Sequence, residues 1–361
     1  MTTATNADFE TLAGNARKNT VPSGRISVFG PNAKRSSDEP SIELYHFGFS
    51  ICSYKVRAVI HELGLTWRSL ELEPAKFENY KAEYVRLRLE SDVAKSSSLA
   101  TGWDGGSSVK ESGFDALVVP TLVDLRQNTV IVDSLQICLY LARAMGGNAD
   151  LLPSDIEGEV LAELDTVDRT PHVALLYGPN PYRDGRSIIF RKVFKSEHEK
   201  KAAAVLREAE KVKGQDPRLD AAYEAKIAKE KAGTAFVGSP EKMAAAIKET
   251  EHLIETFAKT LESSNGPWIF GDRYTMADVF WGASFFRLEF LGYSWLYRSD
   301  PRRDAVADYA DRAIARPGVS AMVANWPTHP WSHPAAQWMR KPSLGDRLIG
   351  LGSREGARGD L

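Results

Sequence analysis

The 361 residues carry 46 Lys and Arg against 48 Asp and Glu, a formal net charge of −2, which gives no electrostatic footing for a nucleic-acid partner. A composition 43% hydrophobic and 26% charged is that of a globular chain long enough for two domains, and only two cysteines exclude a disulfide framework and point to a reducing, cytoplasmic setting. No apolar run is long enough for a membrane span, and residues 1–8 lack the basic-then-apolar layout of a signal peptide.

Residues 1–40 are rich in Thr, Asn, Ser, Gly and Pro, with only 26–29 strand-like, and read as an extension outside the core. The first domain is assigned to 41–147. It opens with a strand over 42–47, then a helix in which Val56, Val59, Ile60 and Leu63 recur at helical spacing and Gly64 stops it, then a strand over 67–72. This β-α-β order demands parallel pairing through a right-handed crossover.

The strand-to-helix turn, Phe49-Ser50-Ile51-Cys52-Ser53-Tyr54-Lys55, organises the chain. Cys52 falls where first-turn N–H groups lack intrahelical partners and the helix dipole favours negative charge, so its thiol is expected to be partly thiolate at neutral pH, with Lys55 and Arg57 pushing the same way. The alternative is a small buried hydrophobe.

Residues 73–117 lose periodicity and read as a long loop, richest in Ser and Gly over 96–108, and a loop of that length is functional or disordered. Residues 84–89 within it are a candidate ordered segment, and its Arg86 and Arg88 are assigned to solvent in preference to an anionic ligand. Residues 117–124 and 129–132 form a hairpin, with Pro120 near the start of its first strand, where a missing N–H is tolerable. Asp133-Ser134 then opens a helix carrying Leu135, Cys138, Leu139, Ala142 and Met145 and ended by Gly146-Gly147; the pair is either a cap or an anion site. Cys138, on the apolar stripe, reads as packing.

Beyond 151 the pattern is helical throughout, and a second, all-helical domain is assigned to 151–330, with a tail over 331–361. His172 reads as a hydrogen-bonded structural residue. Residues 182–239 mix Lys and Arg with Glu and read mainly as a solvated helix surface. Thr275 and Asp278 have capping-box spacing, with Tyr274 and Val279 as a hydrophobic staple, and the helix they open is apolar on most faces and therefore buried. No residue set is assigned to a metal.

A β-α-β, loop, β-β-α domain is the thioredoxin-like arrangement, in which a turn cysteine faces a cis proline that presents the backbone of the preceding residue to a bound peptide. Followed by helices containing Phe270-Gly271-Asp272-Arg273-Tyr274-Thr275-Met276-Ala277-Asp278, it resembles the cytosolic glutathione transferases over roughly residues 42–326. The resemblance implies an α/β thioredoxin-like domain before an all-α domain, and a homodimer. It implies glutathione as co-substrate, held through the backbone of Val119 beside a cis Pro120 and, at its γ-glutamyl end, by Asp133 and Ser134. The inserted stretch 182–239 departs from that pattern. So does 73–117, which stands where other members hold the glycyl carboxylate.

Within that superfamily, Ser50-Ile51-Cys52-Ser53, Tyr84-Val85-Arg86-Leu87 and Thr170-Pro171-His172-Val173-Ala174-Leu175-Leu176-Tyr177 are similar to the glutathione-dependent reductive dehalogenases of chlorinated hydroquinones. This resemblance implies Cys52 as nucleophile, Ser50 or Ser53 as thiolate-stabilising hydroxyls, and an aromatic substrate between the domains, for which His172, Tyr177, Trp281 and Tyr293 are candidate linings. A conjugating or ether-cleaving transferase and a non-enzymatic adaptor of the same fold are the competing readings.

Overall fold

A computed structural model describes residues 6–31, 33, 40–103, 105–147, 149–182, 186 and 188–329. Five strands form one mixed sheet in the order β1-β3-β2-β4-β5: β1 Ile26–Phe29, β2 Ile42–His46, β3 Trp67–Glu71, β4 Thr121–Asp124 and β5 Thr129–Val132. β2 and β3 pair in parallel across α2, Ile51–Glu62, as the β-α-β pattern requires, and the other pairs are antiparallel. Every residue of β2, β3 and β4 is buried, because both sheet faces are covered.

One face packs on α2, on α6, Ser134–Tyr140, and on the helical half: α7 Glu157–Asp168, α8 His172–Tyr177, α11 Pro240–Ser263, α12 Met276–Phe290, α13 Trp295–Arg298 and α14 Asp304–Ala315. α12 is the axis of that half. Its capping box forms as the spacing predicts, the Thr275 N–H donating to the Asp278 carboxylate at 2.8 Å. That carboxylate also accepts from Ile269 N–H at 3.0 Å and the Tyr309 hydroxyl at 2.8 Å, so one buried acid ties three elements together.

The other face corrects three sequence expectations. The described part of residues 1–40 is not an extension outside the core: α1, Asn6–Thr20, buries Phe9, Ala13 and Ala16, and β1 forms the sheet edge. The 73–117 stretch contains α3 Ala82–Leu89, α4 Asp92–Ser96 and α5 Val109–Ser112. Two side chains two residues apart lie on opposite faces of a helix; Arg86 accordingly reaches Gln215 at the surface while Arg88 turns inward, donating to the Pro120 carbonyl at 2.7 Å and the Asp115 carbonyl at 2.9 Å. The inserted helices α9, Ile188–Val212, and α10, Pro217–Val237, are also not simply a solvated surface. Their outer faces carry exposed pairs such as Lys211–Glu208, but Val205, Leu219, Ala222 and Tyr223 enter the second core, and Lys226, Lys229 and Glu230 are buried. The 331–361 tail lies outside the described residues. No helix among the described residues is long and apolar enough to cross a membrane.

Candidate active site

A cavity of about 390 Å³ lies between the thioredoxin-like domain and the inserted helices, within the range of small-molecule sites. It brings together Ser50 and Cys52 from the α2 turn, Val119 and Pro120 from the entry to β4, Asp133 and Ser134 from the start of α6, and Tyr177 from the end of α8. The Val119–Pro120 bond is cis.

Ser50 caps α2, its hydroxyl accepting from Ser53 N–H at 3.4 Å. Cys52, in the first helical turn, donates from Sγ to the Ser107 hydroxyl at 3.2 Å. The expectation of a depressed thiol is not met: burial pushes the Cys52 thiol up, and Lys55, Ser107 and Ser134 only partly oppose that. Desolvation therefore outweighs these three favourable neighbours here. Arg57 is engaged elsewhere. It is fully buried, donates to the Phe47 and Gly48 carbonyls at 3.1 Å each and to Met322 at 2.8 Å, and pins the turn to the end of the helical half.

Ser53 differs from its expected role. Its side chain is completely buried and accepts from Phe47 N–H at 3.3 Å, so it braces the turn and does not line the cavity. Of the proposed aromatic linings only Tyr177 is present. Trp281 and Tyr293 belong to the core, Trp281 donating to Glu163 at 2.6 Å, and His172 is buried against the Ser284 hydroxyl at 2.9 Å.

Asp133 takes φ of +72°, a conformation that costs a non-glycine residue of order 1–3 kcal/mol. Its carboxylate repays this by accepting from Leu135 N–H at 3.0 Å and Gln136 N–H at 3.1 Å, so it is a true helix cap that also faces the cavity. Burial and the nearby Asp168 raise its pKa, and backbone donors from Gln136 and Val109 restrain that rise. Beneath the turn, the Lys55 ammonium donates to Asp168 in a buried ion pair. Burial opposes the Lys55 charge, yet Asp168 and Cys52 hold its pKa above the ordinary value, so a fixed cation sits beside the sulfur.

Several contributors were invisible in the sequence. Ser107 arrives on the Ser/Gly-rich loop, which Ala174 N–H fastens by donating to the Gly105 carbonyl at 3.1 Å. Gly105 has φ of +95°, and a Cβ there would stand 3.0 Å from Ala174 Cβ, so the tether needs glycine. Arg287 of α12 lines the cavity with its guanidinium 4.0 Å over the Phe49 ring, donating to the Phe49 carbonyl at 3.1 Å. The far wall is charged: Asp115 meets Lys226 at 2.8 Å and Lys229 at 3.1 Å, and Lys226 meets Glu230 at 2.7 Å. Despite their burial, the lysines hold Asp115 well below the usual carboxylate range and Glu230 at about 2. The Lys226–Glu230 spacing of four was the one available signal for this cluster.

A thioredoxin-like domain with a turn thiol, a cis proline and a capped helix start converging on one cleft, followed by an all-helical half, defines a protein of the glutathione transferase type. The glutathione S-transferase N-terminal domain model matches residues 49–144 and the C-terminal domain model residues 220–312, and the chain belongs to this family. It is 42% identical over 333 residues to the 2,5-dichlorohydroquinone reductive dechlorinases of two strains of Sphingobium indicum, covering 90% of this chain and 96% of each relative. The fold is also that of the beta-etherase LigF from Sphingobium sp. strain SYK-6, at a TM-score of 0.52 and 17% identity over 78% of this chain and 98% of that one. The protein is therefore an enzyme, and glutathione is its co-substrate.

Proposed function

We propose that the enzyme removes chloride from chlorinated hydroquinones by reduction, converting two glutathione molecules to the disulfide. The observation that carries this reading is Cys52, whose sulfur lines the same cleft as Val119 and the Asp133–Ser134 pair. The 42% identity to 2,5-dichlorohydroquinone reductive dechlorinases supports the substrate class.

Glutathione lies with its γ-glutamyl ammonium at Asp133, its cysteinyl backbone along Val119 and its sulfur near Ser50 and the α2 start. The tripeptide then runs past Leu117 and Asp115 toward Lys226 and Lys229, cations suited to its glycyl carboxylate. The hydroquinone ring tautomerises to a ketone, glutathione displaces chloride, and rearomatisation leaves a glutathionyl hydroquinone with release of HCl. Cys52 then attacks the glutathione sulfur. A sulfur–sulfur bond forms, the aryl carbon–sulfur bond breaks with its electron pair on the ring carbon, and that carbon takes up the proton lost by the Cys52 thiol. A second glutathione exchanges onto the mixed disulfide, giving oxidised glutathione and restoring the thiol.

A raised thiol pKa is consistent with this order. Cys52 stays protonated while glutathione works as the first nucleophile, and its proton is the one the departing ring requires. Ser107 and Lys55 are positioned to stabilise the thiolate at the moment of attack. The site acts in the cytoplasm, in a homodimer.

The test is Cys52→Ser with glutathione and 2,5-dichlorohydroquinone, following chloride, glutathionyl adduct, dechlorinated product and oxidised glutathione together. The variant is expected to release chloride and accumulate adduct without oxidised glutathione. Normal dechlorinated product from the variant, or a wild-type protein that yields only conjugates, would sink the reductive reading in favour of a conjugating transferase.

A further inference from the structure

Arg287 is the buried cation of the cleft that the mechanism leaves unused. It stands in the last turn of α12, is 2% exposed, and lines the same cavity as Cys52. No carboxylate pairs with it among the described residues. Its polar partners are the Phe49 carbonyl at 3.1 Å and the Tyr54 hydroxyl at 3.4 Å, both reached from Nη1. Nε is sealed off without a partner, whereas Nη2 keeps accessible surface and donates to no described group.

Three other buried arginines are used differently. Arg57 gives its two terminal nitrogens to the Phe47 and Gly48 carbonyls, Arg88 to those of Pro120 and Asp115, and Arg186 to those of Leu176 and Gly178. Each is a brace with its donors spent. Arg287 braces the Phe49 turn with one terminal nitrogen and leaves the other on the cavity side. A buried charge with neither counter-ion nor a full set of acceptors is costly, and an anion arriving from the cavity relieves that cost.

The surroundings suit an anion carried by an aromatic ring. Phe49 covers one face of the guanidinium at 4.0 Å, and Phe194 stands 5.4 Å from Phe49 and 6.2 Å from Tyr177, so an aromatic wall runs beside the cation. Burial lowers the Arg287 pKa, while Tyr54, Tyr177 and Cys52 oppose that, which puts the nucleophilic sulfur within electrostatic reach. The chemistry creates such an anion. When a glutathione thiolate adds to the chlorinated carbon of the ketone tautomer, a carbon–sulfur bond forms and the conjugated π electrons move onto the ring oxygen. That pair returns as the carbon–chlorine bond breaks and chloride leaves. The thiolate is served by Ser50 and the α2 start, and the transient oxyanion needs a donor of its own.

We propose that Arg287 is an oxyanion-binding residue, its charge and its free Nη2 holding the ionised ring oxygen of a phenolic substrate whose chlorinated carbon faces the sulfurs. This rests on the dehalogenase reading for the reaction but not for the phenolate site itself.

The experiment titrates an unreactive probe, 4-nitrophenol, by its absorbance when bound to the full-length protein. S-methylglutathione is present to fill the tripeptide site without a titrating thiol. Wild type is expected to lower the probe's pKa by about one unit, the low end of what an adjacent opposite charge does. Arg287→Met should cancel most of that shift, and Arg287→Lys, which keeps the charge, should retain at least about half of it. Affinity for neutral 4-nitroanisole should stay within about twofold in both variants. Should Arg287→Met fail to fold by circular dichroism, Arg287→Gln against Arg287→Lys gives the same comparison. The proposal is overturned if wild type leaves the probe titrating as in water, if Arg287→Met shifts it as far as wild type does, or if the variants lose affinity for both probes equally, as a purely structural arginine would. It is also overturned if Arg287→Met moves only the titration of bound glutathione, which would assign the cation to the thiolate. Failure of the dehalogenase reading shows separately, as absence of chloride release from 2,5-dichlorohydroquinone by wild type.

Discussion

The cleft has two walls built on different principles. The thioredoxin-like wall is made of backbone features: a helix start at Ser50–Cys52, a cis bond before Pro120, and a cap at Asp133 with φ of +72°. The opposite wall is made of buried side chains, Lys226, Lys229 and Glu230 of α10 interlocking with Asp115 of the first domain, and His198 of α9 beside them. On the proposed reading, the backbone features hold the glutathione tripeptide, and the side-chain wall, which a different insertion would change, is where selection of the second substrate would fall.

The sharpest way to divide the walls is Cys52→Ser. It should lower formation of dechlorinated product at least about a thousandfold, the scale expected when a covalent nucleophile is removed, while chloride release persists. A matching drop in chloride release would merge the two steps into one.

The next largest effect belongs to the far wall and falls on stability. Lys226→Met leaves Asp115 and Glu230 buried without their shared cation, which should cost about 3–5 kcal/mol in denaturant unfolding. The same wall should weaken in acid. Glu230, held at about 2, binds no proton in the folded state at pH values where the unfolded chain already does. Its stabilisation is present above the ordinary glutamate range and is lost as pH falls toward 2, a loss that urea titrations from pH 6 to pH 3 detect and that Lys226→Met should blunt.

Third, burial holds the Cys52 thiol protonated, so its alkylation by iodoacetamide should still be rising above pH 9. Ser107→Ala removes a hydroxyl that favours the thiolate and should shift the profile further up, slowing alkylation severalfold at pH 8. A profile that levels off near pH 7 would mean the helix start dominates over burial after all. The smallest effect separates the inner from the outer face of α9: Lys211→Ala breaks an exposed pair with Glu208 and should alter stability by less than about 0.5 kcal/mol.

What was legible in the sequence was whatever depends on neighbours along the chain. The 3.6-residue pattern after Cys52, the β-rich runs either side of residues 126–128, and the Thr275–Asp278 capping box are all local, and α2, the β4–β5 hairpin and the α12 cap formed accordingly. The turn, the proline and the Asp133–Ser134 pair could be singled out for the same reason. Tertiary structure alone decided which charges go inside. Nothing near Lys55 foretells Asp168, 113 positions away, and nothing near Lys226 foretells Asp115, 111 positions away. It also moved Ser53 from the site to the core, turned Arg88 inward, drew residues 6–29 onto the sheet and brought Ser107 over the sulfur. The direction of the Cys52 pKa follows from the same cause. A helix start can be read from sequence, but the desolvation that raises the thiol depends on everything packed around it.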